Sequence, residues 1–240
     1  MKRKRIKAAV CAAVMAFTLF GSVCSVDHHF MRETSVTASA EAAIWDGTED
    51  TSWYYREHDV VVSENGERIA IFNIRTAEEL AGLAKLVRNG NNMKNTMINL
   101  VSDVTLNDTT NFDNWDEQPP ANNWTAIGAV PIEAPNVNVV MTIQPECRNT
   151  VFAGMFNGNG HTISGMYSLH HNYAGLFART SGIITNVIVK DSYIQCINTQ
   201  KVESGDTALW EACAGGITAI CDRGVISHCE FDGKIFASGL

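Results

Sequence analysis

Residues 151–166 read VFAGMFNGNGHTISGM, four glycines and two asparagines set among regularly spaced apolar residues. Two structures compete for such a stretch. A glycine-rich loop can cradle a phosphate with its backbone N–H groups, or glycine and asparagine can turn the chain between short strands. Spacing separates the two. A Gly-x-Gly-x-x-Gly that uses Gly158 and Gly160 needs glycine at position 163, where Ile163 stands, and no Gly-Lys-Ser/Thr follows. Asn157-Gly158 and Asn159-Gly160 are therefore read as tight turns and the residues around them as strands.

Similar words recur downstream. AGMF begins at Ala153, AGLF at Ala174, AGGI at Ala214 and SGL at Ser238, which sets Gly154, Gly175 and Gly215 in equivalent places and Phe156 with Phe177. The interval from Ala153 to Ala174 lays Ile163 on Ile184, Ser164 on Thr185 and Met166 on Val187. The next interval, from Ala174 to Ala214, is lengthened by QCINTQKVESGDTALWEAC (195–213), a polar stretch without the pattern that reads as an extruded loop. The last, to Ser238, returns close to the length of the first. Gly182 and Gly224 bring IITNVIV (183–189) onto VISHCEF (225–231). A unit of this size cannot bury its own apolar face, so successive units must stack. The expected fold is mostly β, a parallel β-helix, with Ile163, Ile184 and Ile226 as one interior ladder and Met166, Val187 and Cys229 as another. Glycines such as Gly158 and Gly160 take the corners, where the backbone needs positive φ or close approach. A β-sandwich also has short strands at regular spacing, but it does not require the same side chain to recur at the same point.

Upstream the pattern changes. MKRKRIK is basic, Ala8 to Val26 carries no charge, and TASAEA (37–42) offers Ala-x-Ala sites after Ala40 or Ala42. Residues 1–40 thus read as an export signal, with an uncleaved anchor as the alternative. Removing their six basic and two acidic residues takes the net charge from −8 to −12. So acidic a chain argues against nucleic acid or an anionic membrane surface as partner.

Residues 41–95 read as an N-terminal cap, and 96–240 as the stacked units. The cap holds a hairpin around Asn65-Gly66 and a helix started by a capping box, Thr76 with Glu79. Ala77, Leu80, Ala81, Leu83, Ala84 and Val87 form its apolar stripe before Asn89-Gly90 ends it. From Thr96 the period becomes strand-like, 107–124 is an acidic, Asn-rich loop, and VNVVMTIQ (137–144) is a further strand.

Chemistry is sparse. The chain has no His-Glu-x-x-His and no Gly-x-Ser-x-Gly, and adjacent His170-His171 diverge on extended backbone. Asp103, Asp113, Asp116 and Glu117 are the candidate acids for a carbohydrate-active face. Asp113, Asp116 and Glu117 are also candidate calcium ligands, without EF-hand spacing. Trp45, Trp53, Tyr54 and Tyr55 either form a glycan-stacking platform, with Trp53 and Tyr54 in contact, or cover the open end of the stack. Seven cysteines leave five beyond the signal, Cys147, Cys196, Cys213, Cys221 and Cys229, an odd set without Cys-x-x-Cys. They read as small core residues, with one disulfide among the last three as an alternative. No cofactor is expected.

FAGMFNGNGHTISGM resembles the F-x-G-x-F-[DN]-G-N-G-[HY]-x-I-x-G-[LM] coil of bacterial surface proteins carrying the GLUG motif. AGLFARTSGIITNVIV and AGGITAICDRGVISHCEF look like the coils that follow it. FNIRTAEELAGLAKLV is similar to the helix before those coils, and WDGTEDTSWY to the segment after their signal peptide. Ala178 and Ala219 depart from positions where that family has glycine. The resemblance implies a right-handed parallel β-helix, exported to the cell surface, as in filamentous adhesins and the N-terminal region of immunoglobulin A peptidases. It implies a structural coil without a catalytic site, an extracellular ligand such as a host protein or glycan, and a longer polypeptide, since FASGL enters another coil. The alternatives it leaves are the leading part of a surface enzyme, carbohydrate-active or a peptidase, and a glycan-binding module.

Overall fold

A computed structural model of the chain describes residues 43–128, 151–198 and 212–239. The signal expected over 1–40, the strand expected at 137–144 and Cys147 lie outside the described residues, which fall within one compact unit spanning 41–240. The fold is mostly β with one helix, and the described strands are parallel save one.

The chain enters through a turn of 3-10 helix, Ser52–Tyr55, and a hairpin of β1 (Asp59–Val62) and β2 (Arg68–Ile74). Gly66, at φ +80°, makes the hairpin turn, where a side chain would be strained. Helix α1 (Ala77–Arg88) begins as the capping box requires: Thr76 Oγ1 accepts the Glu79 N–H at 3.2 Å. The buried Glu79 carboxylate returns to the Arg75 N–H at 2.7 Å, one position earlier than in the usual box. Acids in the first turn and Lys85 and Arg88 in the last complement the helix dipole.

The remaining strands are β3 (Thr96–Leu100), β4 (Val104–Thr105), β5 (Met155–Asn157), β6 (Thr162–Ser164), β7 (Tyr167–His170), β8 (Tyr173–Ala174), β9 (Phe177–Thr180), β10 (Ile183–Thr185), β11 (Ile188–Asn198), β12 (Cys213–Ala214), β13 (Thr218–Cys221), β14 (Val225–Ser227) and β15 (Glu230–Gly239). One sheet runs β1-β2-β3-β5-β10-β14, antiparallel only at β1. A second runs β15-β11-β6-β4, with β7 also on β11, and β8 pairs β12 as β9 pairs β13. From β5 onward the chain visits these sheets in the same order on each circuit, and each strand from β10 to β15 lies parallel to one of the circuit before. Phe72, Ile98, Phe156 and Ile184 form one buried column in register, which Ile226 continues. Val104, Ile163 and Val189 form another.

The expected correspondences after Ala174 hold: Ala174 lies beside Ala214, and 183–189 beside 225–231, paired at Ile183–Thr185 and again at Ile188 and Val189. The offset from Ala153 to Ala174 does not carry over to the stack. Ile184 neighbours Phe156 and not Ile163, whose own later neighbour is Val189. Met166 likewise lies against Ser192, whose hydroxyl accepts the Met166 N–H at 3.1 Å, while Val187 and Cys229 do share a position, linked through the Glu230 N–H on the Val187 carbonyl at 2.9 Å. The reason is steric. Two corners keep glycine from layer to layer, because adjacent layers crowd the backbone there. A Cβ on Gly182 would collide with the Gly154 carbonyl and one on Gly224 with that of Gly182, while a Cβ on Gly175 would meet Gly215. AGMF belongs to the first corner and AGLF to the second, so matching them joins different sheets of one layer.

Candidate functional site

An outward polar column follows directly from that register. The residue after each inward apolar one faces solvent: Asn73, Asn99, Asn157, Thr185 and Ser227. Asn99 Nδ2 donates to Asn73 Oδ1 at 3.1 Å, Asn186 Nδ2 to Asn157 Oδ1 at 3.1 Å and the Ser227 hydroxyl to Thr185 Oγ1 at 3.1 Å. The recurring words FN, IN, FN, IT and IS were the signal for the true register, and the glycine words drew attention from it.

A second outward column is aromatic. Tyr167 and Tyr193 are register partners on β7 and β11 and stack at 5.5 Å; on β15 Lys234 takes the next place in register, and Phe236, beside Gln195, lies diagonally 5.3 Å from Tyr193. The Asn-rich loop folds over the first two rings, setting Trp115 edge-on to Tyr167 and Phe112 edge-on to Trp115. Both tyrosines are nearly buried and their hydroxyls are raised above the ordinary range, in each case first by desolvation. Phe236 is 47% exposed. Beside it Lys234 donates to the Asp113 carbonyl at 2.8 Å, with its Nζ 5.2 Å from the Phe112 ring centre. Sequence reading missed this column, because Tyr167, Tyr193 and Phe236 meet only through the register.

The candidate residues chosen from sequence are placed differently. Trp53 is 3% exposed; its indole N–H donates to the Glu79 carbonyl at 3.0 Å, and Phe72 and Tyr54 meet its ring edge-on. It therefore presents no stacking face, a correction to its place in a glycan platform. Tyr54 stacks on Phe72 at 5.1 Å, which joins it to the same cap over the first interior column. Asp113, Asp116 and Glu117 lie on or just beyond the 3-10 turn Phe112–Asn114, and Asp113 Oδ1 faces Lys234 at 3.9 Å. Among the described residues no group of three metal-ligating side chains converges. Asp103 stands apart from them, its Oδ1 accepting the Thr162 N–H at 2.9 Å and facing His161 Nδ1 at 3.1 Å. Gly160 turns with φ +77°, as a corner requires, while Gly158 is held by the close approach of Asn186.

No family model, characterised protein or solved structure matches the chain. Among the described residues no helix is long and apolar enough to cross a membrane.

Proposed function

We propose that the chain is an exported bacterial cell-surface protein of the GLUG-motif kind, built as a right-handed parallel β-helix with an N-terminal helical cap. It serves as a non-catalytic scaffold or adhesin-like module for an extracellular host protein or glycan. The observation that supports this reading best is the repeated circuit. Each strand from β10 to β15 lies parallel to a strand one circuit earlier, so the exterior consists of repeated columns. Stacked repeats of that kind make extended binding surfaces. Its acids are dispersed: Asp103 is engaged with His161 and Thr162, and Asp113 with Lys234. Export is tested by expressing the chain with its own N-terminus in a bacterium, fractionating the cells and sequencing the mature N-terminus. A chain outside the cytoplasm that begins at Glu41 or Ala43, or an intact chain in the membrane, fits the proposal; an intact soluble chain in the cytoplasm contradicts it.

One observation favours the glycan-binding variant of this reading. Phe236 is an exposed aromatic ring tilted against Tyr193, two residues along β15 from Lys234. Aromatic side chains of this type offer an apolar face with little conformational freedom to lose. On a polysaccharide array, Phe236→Ala should abolish retention that Trp53→Phe preserves. Equal retention by the wild type and Phe236→Ala removes the ring from the binding surface.

A further inference from the structure

Cys196 and Cys213 flank the polar stretch that interrupts the repeat, and the register sets them at one corner. Cys196 points into the core of β11, fully buried, beside His170 of β7. Cys213 opens β12 beside Tyr173 of β8, half-buried. One layer earlier, β7 and β8 are joined by His171 and Asn172 alone. That corner is tied by His170 Nδ1, which accepts the N–H groups of Asn172 at 3.2 Å and Tyr173 at 3.3 Å. The later layer repeats its ends: the Cys213 N–H donates to the Asn172 carbonyl at 2.9 Å, and β11 adjoins β12. The two cysteines thus stand over His170 and Tyr173, which the tight corner holds together, although the whole polar stretch separates them in sequence.

We propose that Cys196 and Cys213 form a disulfide across this corner. The thiol environment agrees with their proximity. Burial pushes the Cys196 thiol up to about 11, the Cys213 backbone N–H acts on the sulfur in the opposite sense, and the Cys213 thiolate raises it again. The oxidant is a low-molecular-weight disulfide, for which oxidised glutathione serves. The Cys213 thiolate attacks one of its sulfurs, breaks the glutathione S–S bond and expels one glutathione thiolate. Cys196 then gives up its proton and attacks the Cys213 sulfur, which expels the second. Two protein thiols become one disulfide, one glutathione disulfide becomes two thiols, and the two cysteine protons end on them. The other described cysteines lie elsewhere on the circuit: Cys221 on β13 and exposed, Cys229 between β14 and β15 with its thiol on the Ser227 carbonyl at 3.3 Å. The proposal depends on the register and not on the export reading.

The test treats the full chain carrying Cys221→Ser with oxidised glutathione, alkylates the remaining thiols and digests with trypsin without reduction. Cleavage after Lys190, Lys201 and Arg223 puts Cys196 and Cys213 on separate peptides. The expected product is one cross-linked pair, two hydrogens lighter than the sum of its peptides, with alkylation lost at both cysteines together. Cys196→Ser should leave glutathione on Cys213, and Cys213→Ser should leave Cys196 as a thiol that is alkylated only after unfolding. Alkylation of both cysteines after oxidation, or linkage of either to Cys147 or Cys229, overturns the proposal.

Discussion

Gly182 and Gly160 separate the two reasons for a glycine at a corner. At Gly182 a methyl group would run into the Gly154 carbonyl of the preceding layer, and backbone cannot step aside as a side chain can. At Gly160 a methyl would meet nothing within 4 Å, but φ is +77°. Gly182→Ala should therefore cost about 3 kcal/mol, as overpacking of a rigid contact does, and Gly160→Ala about 1 kcal/mol, the strain of a left-handed residue. Urea denaturation of the two variants checks the order; equal midpoints would mean that the preceding layer does not crowd Gly182. Sequence reading assigned both residues to corners and matched Gly182 with Gly224 correctly, because the segments between those corners and β11 and β15 are equal in length. It gave Gly154 the wrong partner because AGMF and AGLF satisfy the same steric demand at different places. The asparagine after Phe72, Ile98 and Phe156 was the less conspicuous and better marker.

Helix α1 was legible as an element, from its helical period and its cap, since both are local. What holds the preceding segment against it was not. Glu49 reaches across to Arg88 at 2.8 Å and Lys85 at 3.2 Å, contacts between stretches far apart in sequence. Burial raises the Glu49 carboxyl, yet hydrogen bonds and charge from Arg88 and Lys85 outweigh it, leaving it below the ordinary carboxylate range. A group depressed in the folded state contributes stability that is present above its unfolded value and fades as pH falls through the lower folded value. Glu49→Gln should then cost about 0.5–1 kcal/mol at neutral pH, with the gap from wild type closing on acidification. Thermal unfolding of both proteins from neutral to acidic pH measures this, and a gap independent of pH would remove Glu49 from the tether. Trp53 teaches a similar lesson: in sequence an aromatic cluster reads alike as platform or plug, and its burial, with the hydrogen bond to the Glu79 carbonyl, decides for plug.

Across the whole molecule, burial depends on position in the stack. Ile184 and Ile226 hold the same place in successive layers, yet Ile184 has 0% exposure and Ile226 39%. Ile184→Ala should cost about 3–4 kcal/mol, within the range for a closed core site, and Ile226→Ala about 1 kcal/mol, since much of its surface already meets water. Similar losses at the two sites, measured by denaturant unfolding, would mean that Ile226 is covered. The parallel, mostly β character could be read from recurrence alone, but the register could not, because insertions change the length of each circuit. The most direct test of the layered register is oxidative cross-linking of introduced cysteine pairs. Asn157 and Thr185 are neighbours across β5 and β10, whereas Ser164 neighbours Thr105 and Lys190. With the described native cysteines replaced by serine, Asn157→Cys/Thr185→Cys should cross-link within the chain, and Ser164→Cys/Thr185→Cys, the pair that matching AGMF to AGLF would bring together, should not. Cross-linking of the second pair without the first would contradict the register on which the fold and the proposed disulfide rest.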